Sequence, residues 1–369
     1  MNISPKFYYL WILLIAMSSL QLVNGQSISI SSSETTHNFV FNDDNQKLKV
    51  ESNGKVEIGN DEKSISSISA GGYLKIEKTT FGNSRSIVIK NDGSGLSYEY
   101  KEGGRKKPFE PDGKVWLAEI LPELMNTTSL GAEERVEKIY ASSGAKAVLG
   151  LVDQLKGDYL KSIYLGLLMK KNLNPAEISS CIDKTISQID SDHYQLEVYK
   201  RVNPGYFKDL NQLNKAVGAL DSDHFKTELL MPIFKTNVMD GKGEESIRLI
   251  KMVDSDHFKT EIAKSISFSS LSDQEMKFMV NELVPTIDSD HFKNELLKTA
   301  VDSGNMNENR VLIILDGIES IDSDHFKAEL LLYLCRKHGS EKVKTKIRET
   351  AKNQIDSSHF LGEVMKCAA

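Results

Sequence analysis

Apolar positions recur with two different periods along this chain of 369 residues. Across residues 27–109 they alternate with polar ones in short runs: Phe39-Val40-Phe41, Leu48-Lys49-Val50, Lys55-Val56-Glu57-Ile58, Tyr73-Leu74-Lys75-Ile76, Ser86-Ile87-Val88-Ile89 and Leu96-Ser97-Tyr98-Glu99-Tyr100. A period of two predicts strands with one buried and one wet face. Asn53-Gly54, Asn91-Asp92-Gly93 and Gly103-Gly104 separate the runs with residues that accept positive φ, so the strands are expected to join as antiparallel hairpins. Near Glu110-Pro111-Asp112-Gly113 the period changes to about 3.6. Val115, Trp116, Ala118, Ile120 and Leu121 open the helical region, and Pro122 is expected to interrupt its first helix.

Within the helical region a single hexapeptide recurs, written most fully as Ile321-Asp322-Ser323-Asp324-His325-Phe326. Its apolar first residue stands at Leu155, Ile189, Leu220, Val253, Ile287, Ile321 and Ile355, at intervals of 34, 31, 33, 34, 34 and 34 residues. A period in the thirties predicts stacked αα-hairpins, a right-handed α-solenoid that is HEAT-like or tetratricopeptide-like in shape. In the copy beginning at Leu220, Asp221 is expected as the helix N-cap, with Leu220 and Phe225 forming a hydrophobic staple and Asp223 facing the helix dipole. Phe258, Ile262 and Ile266, then Phe292, Leu296 and Ala300, then Phe326, Leu330 and Leu334 predict a buried face. Asn174-Pro175-Ala176-Glu177 and Ser272-Asp273-Gln274-Glu275 predict capping boxes at the starts of the intervening helices. The expected layout is an export signal at 1–25, an antiparallel β domain at 26–110, capping helices at 111–155 and α-solenoid repeats at 156–369.

The signal is expected because Lys6 precedes an apolar run over residues 7–23, and small residues around Gly25-Gln26 offer a cleavage site. It places the protein outside the cytoplasm, secreted or periplasmic, with no membrane contact after cleavage. The alternative is anchoring by an uncleaved N-terminal helix. With 46 basic and 52 acidic residues the net charge is -6. That balance argues against a nucleic-acid partner, which selects for a basic face. Arg105-Lys106-Lys107 follows Gly103-Gly104 and reads as a solvated hairpin end. Three cysteines are too few for a disulfide framework: Cys181 and Cys335 lie in apolar helical patterns as core residues, and Cys367 near the terminus is left free to be exposed.

Four stretches together, Gly71-Gly72-Tyr73-Leu74-Lys75-Ile76-Glu77, Arg105-Lys106-Lys107-Pro108-Phe109, Trp116-Leu117-Ala118-Glu119-Ile120-Leu121-Pro122-Glu123-Leu124 and the repeated S-D-H-F-K-x-E-L, carry a resemblance over residues 71–369. The chain resembles a family of bacterial extracytoplasmic proteins in which a small β domain precedes helical repeats. Similar regions are appended to membrane-bound metallopeptidases of the beta-lactam-sensor type. The resemblance implies no established activity. Here His stands where that family's pattern has Tyr, and no peptidase function carries over, because H-E-x-x-H is absent.

The candidate chemistry is a ladder in which His193, His224, His257, His291, His325 and His359 each precede by four residues Glu197, Glu228, Glu261, Glu295, Glu329 and Glu363. An i, i+4 pair shares a helix face, so the metal-site candidates are His224, Glu228, His257, Glu261, His291, Glu295, His325 and Glu329. Packed helices lie about 8–10 Å apart, too far for successive rungs to share one ion. The ladder is therefore expected to be structural, with no cofactor and no metal. No G-x-S-x-G, phosphate loop or dinucleotide fingerprint is present, and the chain is not expected to be an enzyme. The expected function is an exported scaffold that binds a protein or a cell-envelope component through its repeat surface. The alternatives are an extracytoplasmic sensor responding to metal or pH through the ladder, and a hydrolase site in the β domain.

Overall fold

A computed structural model describes residues 27–32, 36–42, 45–236, 239–302 and 305–369. The expected export signal lies outside the described residues. The chain divides into two compact units, one ending at Leu168 and one beginning at Met169.

The first unit contains nine described strands: β1 (Ser27–Ser32), β2 (Thr36–Asn42), β3 (Gln46–Asn53), β4 (Val56–Ile58), β5 (Ile65–Ile68), β6 (Tyr73–Thr80), β7 (Asn83–Asn91), β8 (Leu96–Glu102) and β9 (Arg105–Lys107). Seven form one antiparallel sheet in the order β1-β2-β3-β6-β7-β8-β9, while β4 and β5 pair separately. Register puts one apolar set in line across the sheet: Val50 opposite Ile76, Ile76 opposite Ile87, and Ile87 opposite Tyr100. These side chains are 0–4% exposed, so the alternation along each strand becomes one buried layer.

Three strands were not evident from hydropathy. β1 is a Ser-Ile alternation with weak apolar character, and β5 carries only Ile65 and Ile68 at its ends. β9 is wholly exposed and is a strand because Gly103 and Gly104, with φ of 56° and 77°, turn Arg105 back to pair with Glu102.

Helix α1 (Lys114–Thr127) covers the buried layer with Trp116, Leu117, Ile120, Leu121 and Leu124, which share one apolar core with the strands. Contrary to expectation, α1 runs through Pro122 without a break. Ile120, Leu121 and Leu124 are 0–2% exposed on either side of the proline, and their burial offsets the one backbone hydrogen bond that proline removes. Lys78 reaches Glu123, and Arg135 makes a two-pronged contact with Glu62. Arg135 belongs to α2 (Ala132–Val152), which bends at Gly144, where φ is 72°. α3 (Asp158–Met169) follows.

The second unit is an array of six αα-hairpins. The intervening helices are α4 (Pro175–Gln188), α6 (Leu210–Ala219), α8 (Gly243–Ile250), α10 (Asp273–Phe278, continued by a looser turn to Leu283), α12 (Glu308–Asp316) and α14 (Glu341–Gln354). The marker helices are α5 (Asp192–Tyr199), α7 (Asp223–Phe234), α9 (Asp256–Lys264), α11 (Asp290–Asp302), α13 (Asp324–Lys337) and α15 (Ser358–Cys367). Helices of each kind pack on their own successors, giving two rows. A small β domain followed by an all-α repeat region is thus the architecture. Both expected capping boxes are present, at Asn174 with Glu177 and at Ser272 with Glu275.

The cysteine expectation needs correction. Cys335 of α13 and Cys367 of α15 form a disulfide, while Cys181 is the buried free thiol, its pKa pushed up to about 12 by burial. The bridge ties α15 directly to α13. Reduction is therefore expected to raise backbone hydrogen exchange in α15 by about tenfold or more while leaving β6 and β7 unchanged, as for a local opening. Equal acceleration in both units would show instead that the bridge supports the whole chain.

Candidate functional site

The marker makes the same set of polar contacts in repeat after repeat, and its geometry differs from the sequence expectation by one residue. The marker helices α5 to α13 begin at the second aspartate and α15 at Ser358 in the same position, not at the serine before it, and that serine's carbonyl accepts the first helical bond: Lys226 N–H to Ser222, Lys259 to Ser255, Lys293 to Ser289. Asp221 is therefore not the N-cap, and the proposed staple between Leu220 and Phe225 is not formed as that frame required. Leu220 is buried but Phe225 is only half-buried.

The second aspartate does not satisfy its own helix. Its carboxylate accepts two backbone N–H groups from the marker of the next repeat. Asp192 binds Asp221 N–H and Ser222 N–H, the latter at 2.7 Å. Asp223 binds Asp254 and Ser255 at 3.0 and 2.7 Å. Asp256 binds Asp288 and Ser289 at 3.1 and 2.8 Å. Asp290 binds Asp322 and Ser323 at 3.1 and 2.7 Å, and Asp324 binds Asp356 and Ser357 at 3.1 and 2.7 Å.

A lysine three residues later completes the grip on the same loop. Lys226, Lys259, Lys293 and Lys327 donate to the carbonyls of Met252, Thr286, Ser320 and Gln354, at 3.0, 2.6, 2.6 and 2.9 Å. Each of those carbonyls immediately precedes the apolar first residue of the next marker. Lys226, Lys259 and Lys293 are 5–8% exposed, and an ammonium that buried requires such partners. Carboxylate and ammonium thus hold one loop at three backbone atoms.

Histidine and phenylalanine form the outer face of the same joint. The ring of His193 lies against Phe225, His224 against Phe258, His257 against Phe292, His291 against Phe326 and His325 against Phe360, with centroids 5.6–6.2 Å apart. His224 Nε2 lies 3.2 Å from Glu228 Oε1, and His359 lies 3.8 Å from Glu363. Other ladder glutamates turn to lysines: Lys264 binds both Glu261 and Glu295, and Lys298 pairs with Glu329. Among the described residues no three His, Cys, Asp or Glu side chains converge as a metal site would require. The structure brings His224 and Glu228 together as a pair and sets His257, His291 and His325 on the aromatic joint.

Burial opposes the charged form of Asp223, but the N–H groups of Ser255 and Asp254, aided by Lys226, outweigh it and hold the carboxyl below its ordinary range. Asp290 is lowered in the same way, with Ser323, Asp322 and Lys293 outweighing burial.

The row of intervening helices is built differently. Successive helices there use a different contact each time: Gln212 with Ser179, Lys215 with Asp183, Glu275 with Gly243 N–H, Arg310 with Asp273, and Lys342 with Glu308. Over α12, flanked by α10 and α14, this row opens a groove of about 880 Å³. Leu312 and Ile313 are its apolar lining, and Lys277, Lys346, Asp316 and Glu349 line it without a partner among the described residues. Sequence reasoning missed the groove because it is made of residues that do not repeat.

Asp290→Ala removes the acceptor of two N–H groups and is expected to cost about 1–3 kcal/mol in chemical denaturation, whereas Asp288→Ala is expected to cost under about 0.5 kcal/mol. The reverse order would restore the capping frame read from sequence. The two lowered carboxyls also set a pH dependence. A group with a depressed folded pKa contributes stability that is complete above its unfolded value and lost as pH falls through the folded one. Stability from Asp223 and Asp290 is therefore expected to be constant from neutrality down to the ordinary aspartate value of 3.8 and to fall below it. Melting curves of the Asp223→Asn, Asp290→Asn double variant should show a shallower acid decline than the parent's. An unchanged decline would mean that other carboxylates govern it.

Comparison with protein-family models, curated proteins and solved structures gives no match, so the reading of this chain rests on the contacts themselves.

Proposed function

We propose that the protein is an exported scaffold that binds another polypeptide along the row of intervening helices, with the groove over α12 as the recognition site. The observation that carries this reading is the division of labour between the rows. In the marker row the same side chains recur and are consumed in holding the next repeat. In the other row the side chains differ from hairpin to hairpin and frame a groove in which Leu312 and Ile313 stand among charges of both signs. Repetition supplies the support, and variation supplies a surface that distinguishes one partner from another.

Export is supported by the signal-like residues 7–23, by the resemblance to extracytoplasmic proteins and by the Cys335–Cys367 bridge, since such bridges persist in oxidising compartments. The described helices include none long and apolar enough to cross a membrane. The reading assigns no catalytic step and no cofactor: the repeated polar residues are spread along a joint, whereas catalysis gathers different groups in one pocket.

The test is site-specific photo-crosslinking in the producing cells, with the probe at Leu312 or Lys346 in the groove and at His257 or His291 on the marker row. Discrete polypeptide adducts are expected from the groove positions and are expected to be lost on Lys277→Glu, Lys346→Glu. Adducts confined to the histidine positions would overturn the assignment.

A further inference from the structure

The two exposed large hydrophobics among the described residues are Phe81, 75% exposed, and Val115, 56% exposed. Phe81 is the more unusual. It occupies, with Gly82, the two-residue turn between β6 and β7, where Thr80 pairs with Asn83. Both turn residues have positive φ, 47° at Phe81 and 81° at Gly82. That turn favours Asn, Asp or Gly, and a bulky residue there is strained. The backbone N–H of Phe81 donates to the Asn45 carbonyl at 3.0 Å, a bond that any non-proline residue makes equally well. Among the described residues the ring has no aromatic or cationic partner and stays three-quarters exposed, so burial does not offset the strain.

Beside the turn is a cleft of about 970 Å³ with Trp116 and Ile120 of α1 in its lining. Its charges are of both signs and are mostly neutralised in place. Lys78 pairs with Glu123, and Glu102 is shared by Arg85 and Lys107. Two groups remain without a partner among the described residues: the guanidinium of Arg105 and the carboxylate of Glu119. One suits a phosphate, the other an ammonium. An unpaired basic patch would select anionic lipid, but this cleft has no such patch.

We propose that the β6–β7 turn is a membrane-contact element, in which Phe81 enters the interface of a bilayer and the cleft receives the phosphate and ammonium of a zwitterionic phospholipid headgroup. The inference goes beyond the scaffold reading and departs from the expectation of no membrane contact after export. It places the first unit at a lipid surface by a single apolar anchor, which gives weak and reversible attachment.

The experiment is co-sedimentation of the full chain with vesicles of phosphatidylethanolamine and phosphatidylcholine, with and without phosphatidylglycerol, together with thermal melting. Phe81→Asn is expected to raise Tm, because Asn accepts the left-handed conformation, and to lower partition into the zwitterionic vesicles by about tenfold, the loss of one buried aromatic. Because parent and variant carry the same N-terminus, any contribution of residues 7–23 cancels. Arg105→Gln, Glu119→Gln is expected to lower partition into the zwitterionic vesicles while leaving Tm unchanged, and unchanged partition overturns the cleft's part in the proposal. Equal partition of parent and Phe81→Asn overturns the proposal. So does binding that appears only with phosphatidylglycerol and vanishes at about 0.5 M salt, where surface charges are screened. A Phe81-dependent crosslink to a polypeptide without vesicle binding overturns it in favour of a protein partner.

Discussion

The repeat array depends on a carboxylate at the first position of a helix that binds two backbone N–H groups about one repeat further along the chain. Those N–H groups belong to the turn leading into the next marker helix, where helical partners are lacking and an unmet donor is costly. The previous repeat meets both through Asp, and its Lys meets the carbonyl at the other end of the same turn. Aspartate at this position also sits at the positive end of its own helix, which favours its charge. One residue thereby serves two electrostatic requirements, and the coupling it creates is strictly between neighbours. This is why the hexapeptide recurs almost unchanged from hairpin to hairpin.

Departures from the hexapeptide mark places where the joint is made differently. Gln195 stands where later repeats have Lys, and its amide donates to Ile189 of its own marker. The joint from α5 to α7 thus rests on Asp192, supplemented by Lys200 with Glu228, and it falls in the shortest interval of the array. At the other end the marker beginning at Ile355 has Ser358 and Leu361 in place of Asp and Lys. It is gripped by Asp324 and Lys327 but carries neither gripping residue itself. The bridge from Cys335 and the contact of Arg348 with the Ala368 carbonyl add further ties there.

Much of this architecture was legible in the sequence because periodicity is a local signal. The switch from period two to a helical period, the repeat length and both capping boxes required no knowledge of distant contacts. The cap frame was misread because Asp-Ser-Asp offers two aspartates. Capping rules score only the helix that follows, whereas the structure uses the second aspartate for a loop about 30 residues away. The disulfide had a signal that went unused: Cys335 and Cys367 stand 32 residues apart, close to the repeat length, and positions separated by that length lie on packed neighbouring helices. Phe81 was illegible for a different reason. Its significance is conformational, and no residue pattern announces a positive φ at phenylalanine.

The two rows are physically linked. Each marker loop begins at the end of an intervening helix, so the grip on Met252, Thr286, Ser320 and Gln354 fixes the C-terminal ends of α8, the α10 segment, α12 and α14. The spacing of α10, α12 and α14, and with it the width of the groove, is therefore set from the opposite row. Side chains on this row are thereby less constrained than those of the markers, and the contacts they do make, such as Arg310 with Asp273 and Lys342 with Glu308, differ from one hairpin to the next. Rigid support separated from variable contact lets an array of hairpins accumulate differences on one row while remaining a single fold.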